Sequence, residues 1–171
     1  NPDEVITTPK GGYREALFSE EFRKGGTGLL VRLIDHIKGS EYADRVGGWQ
    51  ICGGLTQEWF HHDHNGSLGK AAERAYRKWS KETFGEDEAI LPKTEDFLYN
   101  GQSYNECNNA RRYASFCNLG VAETIDHFAQ TVKKETNYEQ IVGVFYGYSF
   151  ESNHTILFGS HALRRLLNST N

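Results

Sequence analysis

The sequence predicts an α/β fold with parallel strands, and two observations carry that expectation. Two short apolar runs, residues 46–52, bounded by glycines, and residues 140–148, read as buried strands. Amphipathic helical stretches lie before, between and after them, which is the order of a parallel β/α architecture. The second run places apolar residues at both parities, so both of its faces are expected to be covered.

In chain order, residues 1–18 contain Pro2, Pro9 and the Gly11-Gly12 pair, and they read as a surface loop. Ser19 followed by Glu20 and Glu21 is a helix start, with a hydroxyl cap and acids in the first turn. Phe22, Leu29, Leu30, Leu33, Ile34 and Ile37 then recur at helical spacing until Gly39. The glycines of Lys24-Gly25-Gly26-Thr27-Gly28 lack the preceding strand and the Gly-Lys-Ser/Thr order of a phosphate loop, so they are read as allowing close packing against a sheet. The first strand runs over 46–52. A second helix carries Leu68, Ala72, Ala75, Tyr76 and Trp79 on one face and stops at Gly85. The acidic connection 86–104 is long enough to suggest a functional loop. A long helix follows over about 105–137, striped by Ala110, Tyr113, Ala114, Cys117, Val121, Ile125, Phe128 and Val132, with a kink or break expected at Gly120. The strand 140–148 and a last helix over 155–167 complete the chain.

Composition narrows the function classes. A chain of 171 residues with 10 Phe, 9 Tyr and 3 Trp is one domain's worth of globular protein. The net charge is −4, and scattered basic residues form no stripe for a phosphate backbone, so no nucleic-acid partner is expected. No apolar run has the length of a membrane span, and no membrane partner is expected either. Cys52, Cys107 and Cys117 are odd in number and without CxxC spacing, which reads as reduced, buried thiols; the localisation is left open, with a slight preference for the cytoplasm. Two strands cannot satisfy their own edges, so self-association through exposed edges is expected. The absence of methionine, at position 1 as elsewhere, reads as a segment excised from a longer protein.

Just past the first strand stands Glu58, flanked by Trp59 and Phe60. Functional side chains of parallel α/β proteins gather beyond the carboxyl ends of strands, and two aromatics there would give apolar walls to a proton-donating carboxylic acid. The other reading of Glu58 is an acid in the first turn of the next helix. His61, His62, Asp63 and His64 invite a metal, yet neighbours in one loop rarely converge on one ion; no metal or other cofactor is expected, and a polar pocket mouth explains them as well.

Three stretches, 18–23, 40–49 and Gly53-Gly54-Leu55-Thr56-Gln57-Glu58-Trp59-Phe60, resemble the middle of bacterial β-galactosidase-like glycoside hydrolases, the family 42 type of retaining clan A. The helix over 71–85, with Tyr76-Arg77-Lys78-Trp79 and Phe84-Gly85, looks like the segment after that motif. Residues 142–151 and 161–165 are similar to the next β/α unit. The resemblance implies a partial (β/α)8 TIM barrel, roughly the third helix to the fifth helix, with 1–171 a single segment of the catalytic domain. It implies that Glu58 is the general acid/base after the fourth strand and that the nucleophile, after the seventh, lies outside this chain. Gln57 stands where that family usually carries Asn. The expected partner is a carbohydrate substrate, with Trp59, Phe60, Tyr146 and Tyr148 as sugar-stacking walls and Gln57, His61, His62 and Glu151 as polar contacts at the rim. For the aromatics, ordinary core packing is the competing reading. A carbohydrate-binding or interaction module on a barrel-derived scaffold, without a catalytic pair, is the alternative function.

Overall fold

In the computed structural model, residues 1–8, 10–53, 57–61, 68–93, 96, 108–147 and 159–169 are described. A 3-10 turn over Pro2–Glu4 leads into β1 (Val5–Thr7) and β2 (Tyr13–Glu15), then α1 (Glu20–Lys38), β3 (Gly48–Ile51), α2 (Gly69–Phe84), α3 (Asn108–Glu135), β4 (Ile141–Val144) and α4 (Leu163–Leu167).

β3 and β4 pair in parallel as direct neighbours, with Gly48 opposite Ile141, Trp49 opposite Val142, Gln50 opposite Gly143 and Ile51 opposite Val144. Parallel pairing requires a crossover connection, and α2 and α3 lie in it. The helix limits follow from capping chemistry. The Ser19 hydroxyl accepts from the Phe22 amide at 3.1 Å, and the Gly39 amide donates to the Asp35 carbonyl at 3.1 Å. Gly85 closes α2 in the left-handed region at φ 73°, donating to the Lys81 carbonyl at 2.9 Å.

Four expectations are corrected. Residues 1–18 are no plain loop, because β1 and β2 form an antiparallel hairpin with Ile6 opposite Arg14. The glycine pair that suggested a loop makes its turn: Gly11 sits at φ 77°, and the Gly12 amide donates to the Thr8 hydroxyl at 3.1 Å. Second, α3 runs unbroken through Gly120. A Cβ there would lie 2.0 Å from the Phe18 ring, so this glycine is a seat for an aromatic. Third, of the α1 glycines only Gly26 is tightly packed, and its neighbour is Phe128 of α3 at 2.7 Å from a would-be Cβ rather than a sheet. Fourth, among the described residues the ladder β3–β4 is covered on one face only. Trp49, Ile51, Val142 and Val144 pack in the core with Phe22, Ile34, Val121, Ile125 and Phe128, whereas Ile141 is 73% exposed on the other face. Apolar residues at both parities say nothing about what covers them.

The strands are also shorter than predicted, and α4 starts at Leu163 because 159–162 are held in non-helical form. Of the connection 86–104, residues 86–93 and 96 are described; Ala89 and Leu91 join a second core of Leu68, Tyr76, Tyr113, Phe116 and Cys117 between α2 and α3. No described helix is long and apolar enough to cross a membrane.

The packing of Gly120 is directly testable by urea denaturation. Gly120→Ala forces Phe18 aside and is expected to cost about 1–3 kcal/mol. Gly25→Ala, where a Cβ meets nothing within 4 Å, is expected to stabilise α1 by about 0.5–1 kcal/mol. Equal effects at the two positions would refute the assignment of Gly120 as an aromatic seat.

Candidate functional site

The carboxyl end of the parallel pair is built from an interrupted strand. β3 ends at Ile51, opposite Val144, and the chain then leaves the ladder through 52–57, of which 54–56 lie outside the described residues. Gln57 brings it back with a left-handed backbone at φ 67°, a conformation that costs energy for a side-chain-bearing residue. Glu58 then forms a parallel bridge with Phe145, the next position of β4's chain, and the Trp59 amide donates to the Phe145 carbonyl at 3.2 Å. The excursion therefore returns in register.

Register decides which face each residue joins, because paired positions share a face and successive ones alternate. Trp49, Ile51, Val142 and Val144 are on the helix-covered side, so Gln50, Ile141, Gly143, Phe145 and Glu58 fall on the open side. Exposure agrees. Phe145 is 53% exposed, Gln50 is exposed and Glu58 is half-buried. Trp59 and Tyr146 take the core side: Trp59 is 3% exposed, and Tyr146 is half-buried against the same core.

Several residues expected to meet a sugar have structural tasks here. Trp59 donates from its indole nitrogen to the Ile51 carbonyl at 3.1 Å and stacks on Phe128 at 5.8 Å between centroids. A Cβ on Gly53 would come within 2.6 Å of its ring, so Trp59 is enclosed on that side too. His61 is 2% exposed, its Nε2 is 3.0 Å from the Cys117 carbonyl, and its ring stacks on Phe18 at 5.5 Å. That carbonyl requires a proton on Nε2, so the imidazole ties the loop to α3 as a donor. Tyr146 donates its hydroxyl to the Gly159 carbonyl at 2.8 Å and accepts from the Ala162 amide at 2.8 Å. Burial raises the pKa of this phenol, and the Ala162 amide opposes the rise. Burial likewise pushes the Cys117 thiol up; Cys52 is exposed, and both are free.

Gln57 is exposed and Phe60 half-buried beside Glu58. His62, Tyr148 and Glu151 lie outside the described residues, as do Asp63, His64 and Cys107. Among the described residues no group of three or more His, Cys, Asp or Glu side chains could hold a metal ion. The structure brings Glu58 and Phe145 together and removes Trp59, His61 and Tyr146 to the core. Phe145 was passed over in the sequence. Its parity with the open-face positions was the available signal, masked by the run of apolar neighbours. Asn118 was missed as well; it accepts from the His161 amide at 2.8 Å and so fixes the segment after the strand to α3.

Against family models, curated proteins and solved structures, the chain finds no match.

The Tyr146 staple yields a pH-dependent expectation. Tyr146→Phe is expected to lower stability at neutral pH by about 1–3 kcal/mol, since it leaves the Ala162 amide without its acceptor. A raised phenol pKa means that the folded state prefers the protonated form. Its contribution is complete below the ordinary value of 10.0 and is lost as pH rises through the folded value. Denaturation midpoints of wild type and Tyr146→Phe should therefore converge as pH rises past 10.0; a constant gap would rule out the phenol as the titrating group.

Proposed function

We propose that this chain is part of a retaining, β-galactosidase-like glycoside hydrolase in which Glu58 is the general acid/base. One observation supports the reading most: Glu58 is in parallel register with Phe145, at the carboxyl end of the pair and on the ladder face that the described helices leave open. In a closed barrel that face is the interior, where the ends of strands present catalytic groups. The sequence resemblance to family 42 enzymes supports the same assignment and supplies the substrate class.

Chemically, Glu58 as the acid gives its proton to the glycosidic oxygen as the bond to the anomeric carbon breaks. A second carboxylate, about 5–5.5 Å away, attacks that carbon to form a glycosyl-enzyme. Glu58, now a carboxylate, takes a proton from water, whose oxygen displaces the enzyme carboxylate. The nucleophile is proposed to lie outside these 171 residues, on a later strand. Phe145 replaces Trp59 and Tyr146 as the apolar platform, since it shares Glu58's side of the ladder and the other two do not. Gln57, Phe60, His62, Tyr148 and Glu151 remain proposed substrate contacts. No metal or cofactor enters the reaction.

Glu58→Gln in the polypeptide that joins this segment to the nucleophile's strand is expected to lower turnover of unactivated galactosides by about 10²–10⁴-fold. Azide needs no general base, so it should restore turnover of dinitrophenyl galactosides and yield galactosyl azide. Undiminished activity, or loss without azide rescue, sinks the role of Glu58. The 171-residue chain alone is expected to be inactive on aryl glycosides; hydrolysis by it that Glu58→Gln abolishes would place the nucleophile within it. Galactoside binding without turnover, lost in Phe145→Ala and kept in Glu58→Gln, would favour the non-catalytic carbohydrate-binding alternative.

A further inference from the structure

A cavity of about 550 Å³ lies between the first turns of α1, the middle of α3 and the side of α2 that carries Ala71, Ala75 and Trp79, away from the strand ends. Small residues on α2, Ala71 and Ala75, leave room for it, and on the α3 side Phe18 lines it from its seat on Gly120. Its floor is aromatic. Phe18 stacks on Phe116 at 4.3 Å, and Trp79 leans on Phe116 at 5.7 Å; Phe18 and Trp79 are half-buried.

The rim carries both signs of charge. Glu20, Glu21 and Glu123 stand on the α1 and α3 sides, and Lys78 and Glu82 on the α2 side. Arg23 reaches in from α1, held by its guanidinium to the Thr124 hydroxyl at 2.9 Å. Burial lowers its pKa, and the charges of Glu123 and Glu20 oppose that shift. Arg74 and Glu4, paired with each other, close one end.

We infer that this cavity is a binding site for a neutral saccharide, separate from the strand-end site of Glu58. The lining selects the ligand class. An organic cation in this space would meet Arg23 and Lys78, and an anion would meet Glu21, Glu82 and Glu123. A polyol carries no charge, and each hydroxyl both donates and accepts, so it uses carboxylates and cations together. The apolar face of a pyranose ring then covers the aromatic floor.

The intact protein is titrated calorimetrically with methyl β-D-galactopyranoside, methyl β-D-glucopyranoside and cellobiose, and with spermidine as the cationic probe. At least one saccharide is expected to saturate with a Kd on the order of 1 mM. Lys78→Ala and Glu82→Ala, both at exposed rim positions, should each weaken that binding about fivefold, and Trp79→Phe, which keeps an aromatic ring at the position, should weaken it too. Saturation by spermidine alone, by no probe at all, or by a saccharide whose affinity both rim variants leave unchanged would overturn the inference. Hydrolysis is not read in this experiment, so its result stands apart from the fate of Glu58.

Discussion

The anchoring of Trp59 is the constraint on which the strand end depends. Its amide joins the β4 ladder at Phe145, its indole nitrogen reaches back to the Ile51 carbonyl, and its ring lies against Phe128. These contacts clamp both ends of the 52–57 excursion, so the chain resumes pairing where it left off. A buried indole of this kind contributes on the order of 3–5 kcal/mol of packing, enough to hold the strained backbone of Gln57. Glu58 gains its place from this clamp, since a residue between Gln57 and Trp59 has no freedom to leave the ladder.

α3 is the element against which the other helices and the β3–β4 pair are placed, while the β1–β2 hairpin rests on α2. One side gives Val121, Ile125, Phe128 and Val132 to α1 and the sheet, and another gives Tyr113, Phe116 and Cys117 to α2. Glycine at two crossings lets neighbours approach: Gly26 of α1 accepts Phe128, and Gly120 of α3 accepts Phe18. Buried polar ties fix the register of these contacts. The Thr124 hydroxyl lies 3.0 Å from the Leu17 carbonyl and accepts from Arg23, joining the start of α1 to the middle of α3. His61 and Asn118 do the same for the loops at the strand ends.

The open face of the ladder links fold to proposed function. Each strand of the β3–β4 pair has one edge without a sheet neighbour among the described residues, and Ile141 and Phe145 are exposed beside it. Exposed apolar side chains next to free backbone donors and acceptors are a surface that wants further strands. A carboxylate in the same row would then lie where a cavity forms, which is why the one-sided burial bears on the role of Glu58.

By itself the sequence determined the helices and the presence of two strands, because those signals are local. Ser19 with its following acids, Gly39 and Gly85 mark helix ends through capping, and the apolar spacing of α3 marks its buried side. It also singled out Glu58 by its place after a strand. Only the tertiary structure decided faces and tasks. Trp59, His61 and Tyr146 have side chains equally suited to a sugar or to a core, and their partners, Phe128, Cys117 and Ala162, lie far away in the chain. Gly120 read as a break because the ring that occupies its space comes from Phe18, and the hairpin of residues 1–18 read as loop because its strands are short. Local pattern encodes what a segment can form; which of its faces is covered, and by what, depends on contacts that only folding brings together.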